Sequence, residues 1–235
     1  MHITEYNTIT NIDNKPKNKP HLTKYRKFMS DTEIRLLLRF TNEECSPPIS
    51  MAFHLLIGMG LRVGEVINIK TSNIIGNKLI FKLEKCDRTH ERIIPDYLFE
   101  MLTDYIKKYK KAFTNDYIIT NKIGGNRFGA FIYKKKFKSE HITYKTMQYQ
   151  IKIFRNKYNL NDSYYTTKNN NKLHRVTLHT IRHNFLYRLY YTTKKDLLLT
   201  ADIIGHQNIK VTSEYIRGFK RIKEEENVIN TMAVI

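Results

Sequence analysis

LHTIRHNF, residues 178–185, is the segment that says most about how this chain folds. His179 and Arg182 stand three residues apart, so a helix would carry both on one face. Such a pair suits a phosphate, because a guanidinium binds two oxygens with its planar fork and an imidazole exchanges a proton near neutral pH. His183 extends the run, but we expect it on another face. When the segment is considered alone, an ordinary helix with scattered polar residues explains it better than a phosphate-binding site does.

A second segment, GLRVGEV at residues 60–66, places an arginine just after a glycine break. Arg62 would begin a helix and project its guanidinium into a cleft. Glu65 follows three residues later on the same helical face, where its carboxylate can hold Arg62 in place. By itself this spacing is far more often a surface ion pair than part of a site.

A third segment, IIGHQNIKVTSEYI at residues 203–216, reads as the end of one helix and the start of another. The first helix would end at Gly205, with His206 at the turn. Tyr215 comes nine residues after His206. Neither residue is unusual alone, since glycine commonly ends helices and the chain has 16 tyrosines.

Taken in chain order, these segments resemble the signature of the tyrosine recombinase (integrase) family. That signature is Arg, a Lys in a β-hairpin, His-x-x-Arg, His or Trp, and Tyr. The matching residues here are Arg62, Lys85, His179, Arg182, His206 and Tyr215. The resemblance covers residues 26–220 and implies the catalytic-domain fold of that family. That fold is α+β, mainly α-helical with a small antiparallel β-sheet.

The resemblance also implies an activity, the cleavage and rejoining of DNA without a metal or another cofactor. Tyr215 would be the nucleophile and form a 3′-phosphotyrosine. Because tyrosine ordinarily has a pKa of about 10, His179 would take or relay its proton. Arg62 and Arg182 would hold the non-bridging oxygens of the scissile phosphate, and His206 would donate a further hydrogen bond to it. The sequence has no paired carboxylates at metal-binding spacing, which disfavours a two-metal nuclease.

A lysine in the β-hairpin is the general acid for the leaving 5′-oxygen that the resemblance implies. The hairpin strands are predicted at residues 79–83 and 92–95, joined by a polar turn. Lys85 directly follows the first strand and is our choice. The turn is longer than the common pattern, which leaves the register open. Lys82 is therefore a weaker candidate, while Arg88 is too basic to be a good acid.

Helices are predicted where apolar residues recur at helical spacing. A capping box at Ser30 and Glu33 begins the first helix, and Pro47-Pro48 precedes the second. The further predicted helices are a short one at 62–69, one beginning at Asp96, and others at 143–158, 178–193, 196–204 and 208–217. A short strand is predicted at residues 117–120 and a polar loop at 161–172.

The charge of the chain points to a polyanion as its partner. Among 235 residues there are 41 Lys and Arg against 22 Asp and Glu, a formal charge of 41 − 22 = +19. Nucleic acid is the favoured partner over an acidic membrane surface. A Lys-, Asn- and Ile-rich genome would also produce part of this bias.

Other classes of protein are excluded by what the sequence lacks. Residues 1–20 have no apolar stretch of the signal-peptide kind, and the longest apolar stretch, near residues 51–63, is too short to span a bilayer. The two cysteines, Cys45 and Cys86, form neither a CxxC motif nor a zinc cluster. We therefore expect no membrane association and a reducing intracellular compartment: the cytoplasm, the nucleus or a viral factory.

Basic residues outside the three segments are expected to contact the DNA backbone. One cluster precedes the helix predicted at 143–158, and another lies on that helix. The residues are Lys134, Lys135, Lys136, Lys138, Lys145, Lys152 and Arg155. For any one of them, a solvated basic surface is an equally good explanation.

The domain organisation departs from the usual pattern of the family. Members usually carry an N-terminal core-binding domain, and Arg62 comes too early in this sequence for one to precede it. We therefore expect either a minimal recombinase or a catalytic domain separated from its partner domain. We expect residues 1–25 to be a basic flexible arm. Residues 221–235 would form a C-terminal helix or tail that docks either on a neighbouring protomer or back on its own chain.

The expected function is that of a site-specific, integrase-like DNA recombinase from a virus or mobile element. Its partners would be double-stranded DNA and three further copies of itself, forming a tetramer at synapsis. Two alternatives stay open. A type IB topoisomerase shares the same chemistry, but it usually has Lys where this chain has His179. A non-catalytic DNA-binding protein could keep the same fold.

Overall fold

The structure is a computed structural model that describes residues 28–83, 88–126, 128–134, 138–167, 169–170 and 172–217. Helices dominate, and the strands form small antiparallel sheets. The prediction of a mainly helical α+β fold with a small antiparallel sheet is thereby confirmed. The arm predicted at residues 1–25 and the tail predicted at residues 221–235 lie outside the described residues.

The helices and strands are numbered in chain order. The helices are α1 (Asp31–Glu44), α2 (Pro47–Met59), α3 (Val63–Ile67), α4 (Asp96–Tyr109), α5 (Tyr144–Lys157), α6 (Leu178–Thr192), α7 (Leu197–Ile204) and α8 (209–217). The strands are β1 (Ile74–Ile75), β2 (Lys78–Lys82), β3 (Thr89–Ile93), β4 (Ile123–Asn126), β5 (Gly129–Ile132), β6 (Ser163–Thr166) and β7 (Lys172–His174).

Helix α2 is the centre of the core because its sequence is apolar on nearly every side. It packs against α1, α3, α4 and α6. Phe53 and Leu55 are fully buried there. Helix α1 begins at the predicted capping box, in which Ser30 and Glu33 bond reciprocally to each other's backbone amide groups. Helices α3 and α6, which carry the segments around Arg62 and His179, are therefore held against one buried helix.

The largest sheet has the order β1-β2-β3, with antiparallel pairing throughout. Leu79 and Phe81 of β2 point into the core, whereas Lys78 and Lys82 are exposed, as expected of a half-buried strand. On β3, Arg92 is the residue paired with Leu79, and it is buried as well. An arginine thus takes a core position in this sheet.

A second, smaller core joins the C-terminal helices. Leu186 and Tyr190 of α6 pack with Ile204 at the end of α7 and Ile216 of α8, and Tyr215 lies against this cluster. Because α8 is fixed to α6 by these apolar contacts, the side chain of Tyr215 is held beside the first turns of α6.

Three details of the predicted secondary structure are wrong. Residues 117–120 form only isolated bridges, because Ile118 and Ile119 bond to segments on either side of them rather than to one partner strand. The loop predicted at 161–172 contains the β6–β7 hairpin, whose tyrosines and threonines suit a strand despite their polarity. The partner strand in the first hairpin begins at Thr89 rather than residue 92, so the turn is shorter than expected.

Candidate active site

The α2–α3 junction positions Arg62. Helix α2 ends at Gly60, whose left-handed backbone (φ 60°) turns the chain sharply. Arg62 is the N-cap residue of α3. The Glu65 carboxylate accepts hydrogen bonds from the Arg62 backbone amide (2.7 Å) and from Arg62 Nη1 (2.9 Å). The Glu65 side chain is fully buried, while that of Arg62 is 15% exposed. The ion pair is therefore anchored inside the protein, with the arginine at the edge of solvent.

Arg182 joins three parts of the fold. Its Nη1 donates to the carbonyl of Gly60 (2.7 Å), its Nη2 donates to the carbonyl of Ile204 (2.9 Å), and Nη1 lies 3.8 Å from Glu65 Oε2. Burial, together with the nearby positive charge of Arg62, lowers the pKa of the Arg182 guanidinium to about 9, although Glu65 opposes the shift. Arg182 therefore remains a cation at neutral pH.

His179 lies one turn before Arg182 and faces Tyr215. A cap formed by Thr177 and Thr180 starts α6 and fixes its first turn. His179 Nε2 is 3.2 Å from the Tyr215 hydroxyl oxygen. Burial raises the pKa of Tyr215 above its ordinary value, and the charges of Arg182 and Arg62 act in the opposite direction. The tyrosine is thus protonated at neutral pH and has an imidazole in position to receive the proton.

His206 lies beside the Tyr215 ring, in the turn between α7 and α8. Gly205 ends α7 in the left-handed conformation (φ 74°), and the His206 amide donates back to the carbonyl of Ala201 (2.9 Å). The His206 Nδ1 is 2.8 Å from the hydroxyl of the buried Thr212. The imidazole ring of His206 stacks on the Tyr215 ring, with 6.1 Å between the ring centres. The ring orientation is therefore fixed by contacts on both sides.

His183 also belongs to this site, which corrects the expectation that it falls on another face. Its ring centroid lies 4.3 Å from that of His179 and 4.4 Å from that of Tyr215. Residues four apart on a helix share a face just as residues three apart do, so the spacing from His179 to His183 contained this information.

Arg92 is a second residue near the site that sequence reasoning missed. It is 7% exposed, and the charges of Glu65 and Arg62 both act on it. An alternating strand pattern predicts that residues 92 and 94 share a buried face, but a charged residue at such a position gives no signal of its own. Only the folded sheet brings its charge near the Arg62–Glu65 pair.

Lys85, the predicted general acid, is not described by the structure, and Arg155, a predicted DNA contact, bonds within the protein. Lys85 lies outside the described residues, between Leu83 and Arg88, where the Leu83 amide donates to the Arg88 carbonyl (3.0 Å) and closes the hairpin. Arg155 of α5 is half-buried and donates through Nη1 to the carbonyl of Val176 (3.2 Å). Burial also lowers the pKa of Arg155. Its guanidinium thus connects α5 to the chain just before α6.

The remaining predicted DNA contacts are lysines at the surface. Lys134 and Lys138 follow β5 in the chain, and Lys145 and Lys152 lie on α5; all four are exposed. Lys135 and Lys136 lie outside the described residues. The lysines that the structure describes are thus available to a polyanion, with no geometry that singles out one of them.

Metal-binding clusters and membrane spans are both absent from the described part of the chain. It contains no group of three or more His, Cys, Asp or Glu side chains placed to hold a metal ion. Its helices also include none with the length and apolar character needed to cross a membrane.

Comparison with known sequences gives one family. The model of the phage integrase family matches residues 27–221. Tyrosine recombinase XerD of Rickettsia bellii is 25% identical over 220 residues, which are 90% of this chain and 65% of that protein. Tyrosine recombinase XerC of Staphylococcus epidermidis is 26% identical over 210 residues, 85% of this chain and 59% of that protein. The chain thus spans less than two thirds of the length of these relatives.

Comparison with solved structures gives the same fold. XerH site-specific recombinase bound to palindromic difH substrate, in a post-cleavage complex, superposes with a TM-score of 0.62 at 19% identity, covering 96% of this chain and 60% of that one. A lambda integrase dimer bound to a COC′ core site superposes with a TM-score of 0.56 at 16% identity, covering 81% and 47%.

Proposed function

The chain belongs to the phage integrase family, and we propose that it is a site-specific recombinase that cleaves and rejoins duplex DNA through a 3′-phosphotyrosine. One observation carries the proposal. The hydroxyl of Tyr215 lies 3.2 Å from His179 Nε2, beside two arginines that share one buried glutamate. This arrangement holds a nucleophile, a base and two cations within one chain, which is what transfer of a phosphodiester requires.

In the cleavage step, the Tyr215 oxygen attacks the phosphorus of the scissile phosphate. The tyrosine proton passes to His179 Nε2, directly or through a water molecule. The new bond joins the tyrosine oxygen to phosphorus, and the bond from phosphorus to the 5′-oxygen breaks. The 5′-oxygen leaves with a proton supplied by a general acid. The phosphotyrosine is itself a phosphodiester, so the energy of the broken bond is conserved. A 5′-hydroxyl can therefore attack it, reverse the step and rejoin the strand.

Arg62 and Arg182 supply the positive charge for the transition state. Their guanidiniums are held by Glu65 and by backbone carbonyls before any DNA arrives. Donors that are fixed in advance do not need to reorganise, and each typically stabilises the transition state by on the order of 3 kcal/mol. His206, oriented by Thr212, would donate a further hydrogen bond to the same phosphate.

Lys85 is our candidate for the general acid, on the strength of its place in the β2–β3 hairpin. A lysine can protonate a leaving alkoxide, whereas the neighbouring Arg88 holds its proton too strongly. The exposed lysines beside β5 and on α5 would bind the DNA backbone and give the affinity its salt dependence.

The assembly and location of the protein follow from this proposal. Exchange of two duplexes needs four cleavages, so four copies would meet at synapsis. We assign residues 26–220 as the catalytic unit, residues 1–25 as a basic arm, and residues 221–235 as a tail that contacts a neighbouring copy or its own chain. DNA as the partner and the small number of cysteines favour a reducing compartment inside the cell.

The test is the capture of the covalent intermediate. A pool of nicked duplexes with a randomised centre lets the strand beyond the nick diffuse away after cleavage, which traps the adduct. We expect an adduct with the unaltered protein and none with Tyr215→Phe. Tyr191→Phe, a change to an exposed tyrosine on the same helix as His179, is the matched control and should form the adduct normally.

The other outcomes separate the alternatives. An adduct that survives Tyr215→Phe would refute the assignment of the nucleophile. Relaxation of supercoiled plasmid without exchange of strands would favour a type IB topoisomerase. DNA binding with no adduct on any duplex would favour a non-catalytic DNA-binding protein.

A further inference from the structure

Arg92 is a buried cation on β3 that the cleavage chemistry above does not use. The residue is 7% exposed, and its guanidinium carbon Cζ lies over the Phe81 ring, 5.6 Å from the ring centre. Placing an arginine in the core is costly unless it is paired and hydrogen-bonded. Its position in the sheet therefore calls for a reason other than packing.

One contact of Arg92 reaches the junction that carries Arg62. The Nη1 of Arg92 donates to the carbonyl of Met59 at 2.5 Å. The carbonyl of the next residue, Gly60, accepts from Arg182. Two buried guanidiniums therefore hold consecutive carbonyls at the turn from which the chain continues to Arg62.

The charges of this region are out of balance. Arg62 and Arg182 lie 2.9 Å and 3.8 Å from the carboxylate of Glu65. Arg92 interacts with the same carboxylate, and repulsion from Arg62 adds to burial in lowering its pKa to about 10. Two guanidiniums thus pair with one carboxylate, and the third, Arg92, is close enough for its charge to act on both Glu65 and Arg62. Positive charge is therefore in excess where little water can screen it. An anion that enters this region relieves the excess.

Two nitrogens of Arg92 also indicate a functional role for this arginine. Its Nε and Nη2 are buried and have no hydrogen-bond partner among the described residues. Unsatisfied buried donors are rare in proteins and often mark a functional group. Because only one nitrogen of this guanidinium makes a hydrogen bond, its positive charge accounts for its position at least as well as its hydrogen bonding does.

We propose that Arg92 is a positioning residue of the DNA-cleaving site, which fixes the turn before Arg62 and adds positive charge to the cluster that receives the scissile phosphate. This inference rests on the proposed recombinase function. Arg92 acts through Arg62 and through the local potential, and need not touch the DNA.

The test compares two substrates for each variant, after the cleavage site has been mapped with the unaltered protein. One nicked duplex carries the natural phosphate at the scissile position. The other carries a methylphosphonate there, in which a methyl group replaces one charged oxygen. We expect Arg92→Met to slow adduct formation about tenfold or more on the phosphate. On the neutral methylphosphonate the same variant should approach the rate of the unaltered protein.

Two further variants separate charge from structure. Arg175→Met removes an arginine, three residues before α6, that bonds to Glu33 of α1 and to Asp162 just before β6. Any loss of activity in this variant should therefore be equal on both substrates. Arg92→Lys keeps the charge in a poorer geometry and should lose less activity on the phosphate than Arg92→Met. Because each variant is compared with itself on two substrates, partial unfolding lowers both rates alike.

Each failure has its own signature. If the unaltered protein forms no adduct with any duplex, the proposed function fails and the inference fails with it. If it forms the adduct, but Arg92→Met or Arg92→Lys loses the same large factor on both substrates, the function stands and Arg92 is only structural.

Discussion

The hydroxyl oxygen of Tyr215 and the Nε2 of His179 lie 3.2 Å apart within a single chain. The two residues are 36 positions apart in the sequence and meet because α8 packs on α6 through Ile216, Leu186 and Tyr190. The proposed nucleophile and the proposed base thus lie within hydrogen-bonding distance in one chain.

Replacing His179 by Gln tests whether it accepts the tyrosine proton. Glutamine can hydrogen-bond to Tyr215 but cannot take its proton, so we expect the single-turnover rate of adduct formation to fall by about 10²–10⁴. Because the pKa of Tyr215 is raised, little tyrosinate exists at neutral pH. The rate of this variant should therefore rise with pH, as ionised tyrosine accumulates. His174→Gln, on β7, is the control, and unchanged kinetics in His179→Gln at every pH would exclude the role.

Gly60 should not tolerate a side chain. Its φ is 60°, and a Cβ atom there would lie 2.2 Å from the Phe185 ring. Gly60→Ala should therefore lower the free energy of unfolding by more than the roughly 1–2 kcal/mol that a left-handed alanine costs, and it should displace the turn before Arg62. Denaturant unfolding and adduct formation measure the two effects.

Gly76→Ala is the matched control for that change. Gly76 has a similar φ of 57°, but apart from its two chain neighbours no described residue has a heavy atom within 4 Å of where a Cβ would lie. It should show the backbone cost alone and leave cleavage intact. Equal destabilisation by the two substitutions would mean that Phe185 moves aside at little cost.

The exposed lysines that follow β5 in the chain should contribute to DNA affinity through phosphate contacts. Replacing Lys134 and Lys138 together by Gln should reduce the slope of log K against log salt by about 2, close to one per lost contact. Fluorescence anisotropy over a range of salt concentrations gives this slope. Lys78→Gln is the control, because that ammonium already pairs with Glu91 at 2.7 Å. A slope that does not change in the double variant would place the DNA elsewhere.

Tyr105 should make the protein sensitive to alkali. Its hydroxyl donates to the carbonyl of Ile118 at 2.6 Å, and burial, with Tyr109 nearby, raises its pKa well above 10. In the unfolded chain the group ionises near 10, so its contribution to stability is complete below pH 10 and is lost as the pH rises toward the folded value. One such group costs up to about 1.4 kcal/mol per pH unit.

Tyr105→Phe removes this dependence. The variant should lose about 1 kcal/mol at pH 8 through the missing hydrogen bond, yet its unfolding free energy should fall less steeply above pH 10. Tyr97→Phe, which alters an exposed tyrosine, should leave the slope unchanged. Parallel slopes for Tyr105→Phe and the unaltered protein would show that Tyr105 is not the group responsible.

Sequence reasoning succeeded where local spacing is enough. Ser30 with Glu33, and Arg62 with Glu65, are pairs at i and i+3, and the structure joins both. Prediction from the sequence failed where strands pair with segments distant in the chain, or where a strand lacks the alternation of apolar and polar residues. The β6–β7 hairpin reads as a polar loop, and residues 117–120 read as one strand although their bridges go to separate segments.

His183 and Arg92 show the same limit within the site. His183 lay at helical spacing from His179, but its importance depends on the ring of Tyr215, which comes from another helix. The sequence gives no sign that Arg92 belongs near the site until the fold places it opposite Leu79 and beside Phe81.

The sequence alone determined the family, the order of the helices and the local geometry of the three segments, because caps, glycine breaks and i, i+3 pairs depend only on neighbours along the chain. The tertiary structure decided which of these segments meet. Burial of α2, and of the small apolar core between α6, α7 and α8, brings Arg62, Arg182 and Tyr215 together. It also decided the charge balance, since only a folded interior can bring Arg62 and Arg182, which are distant in sequence, to the same buried glutamate.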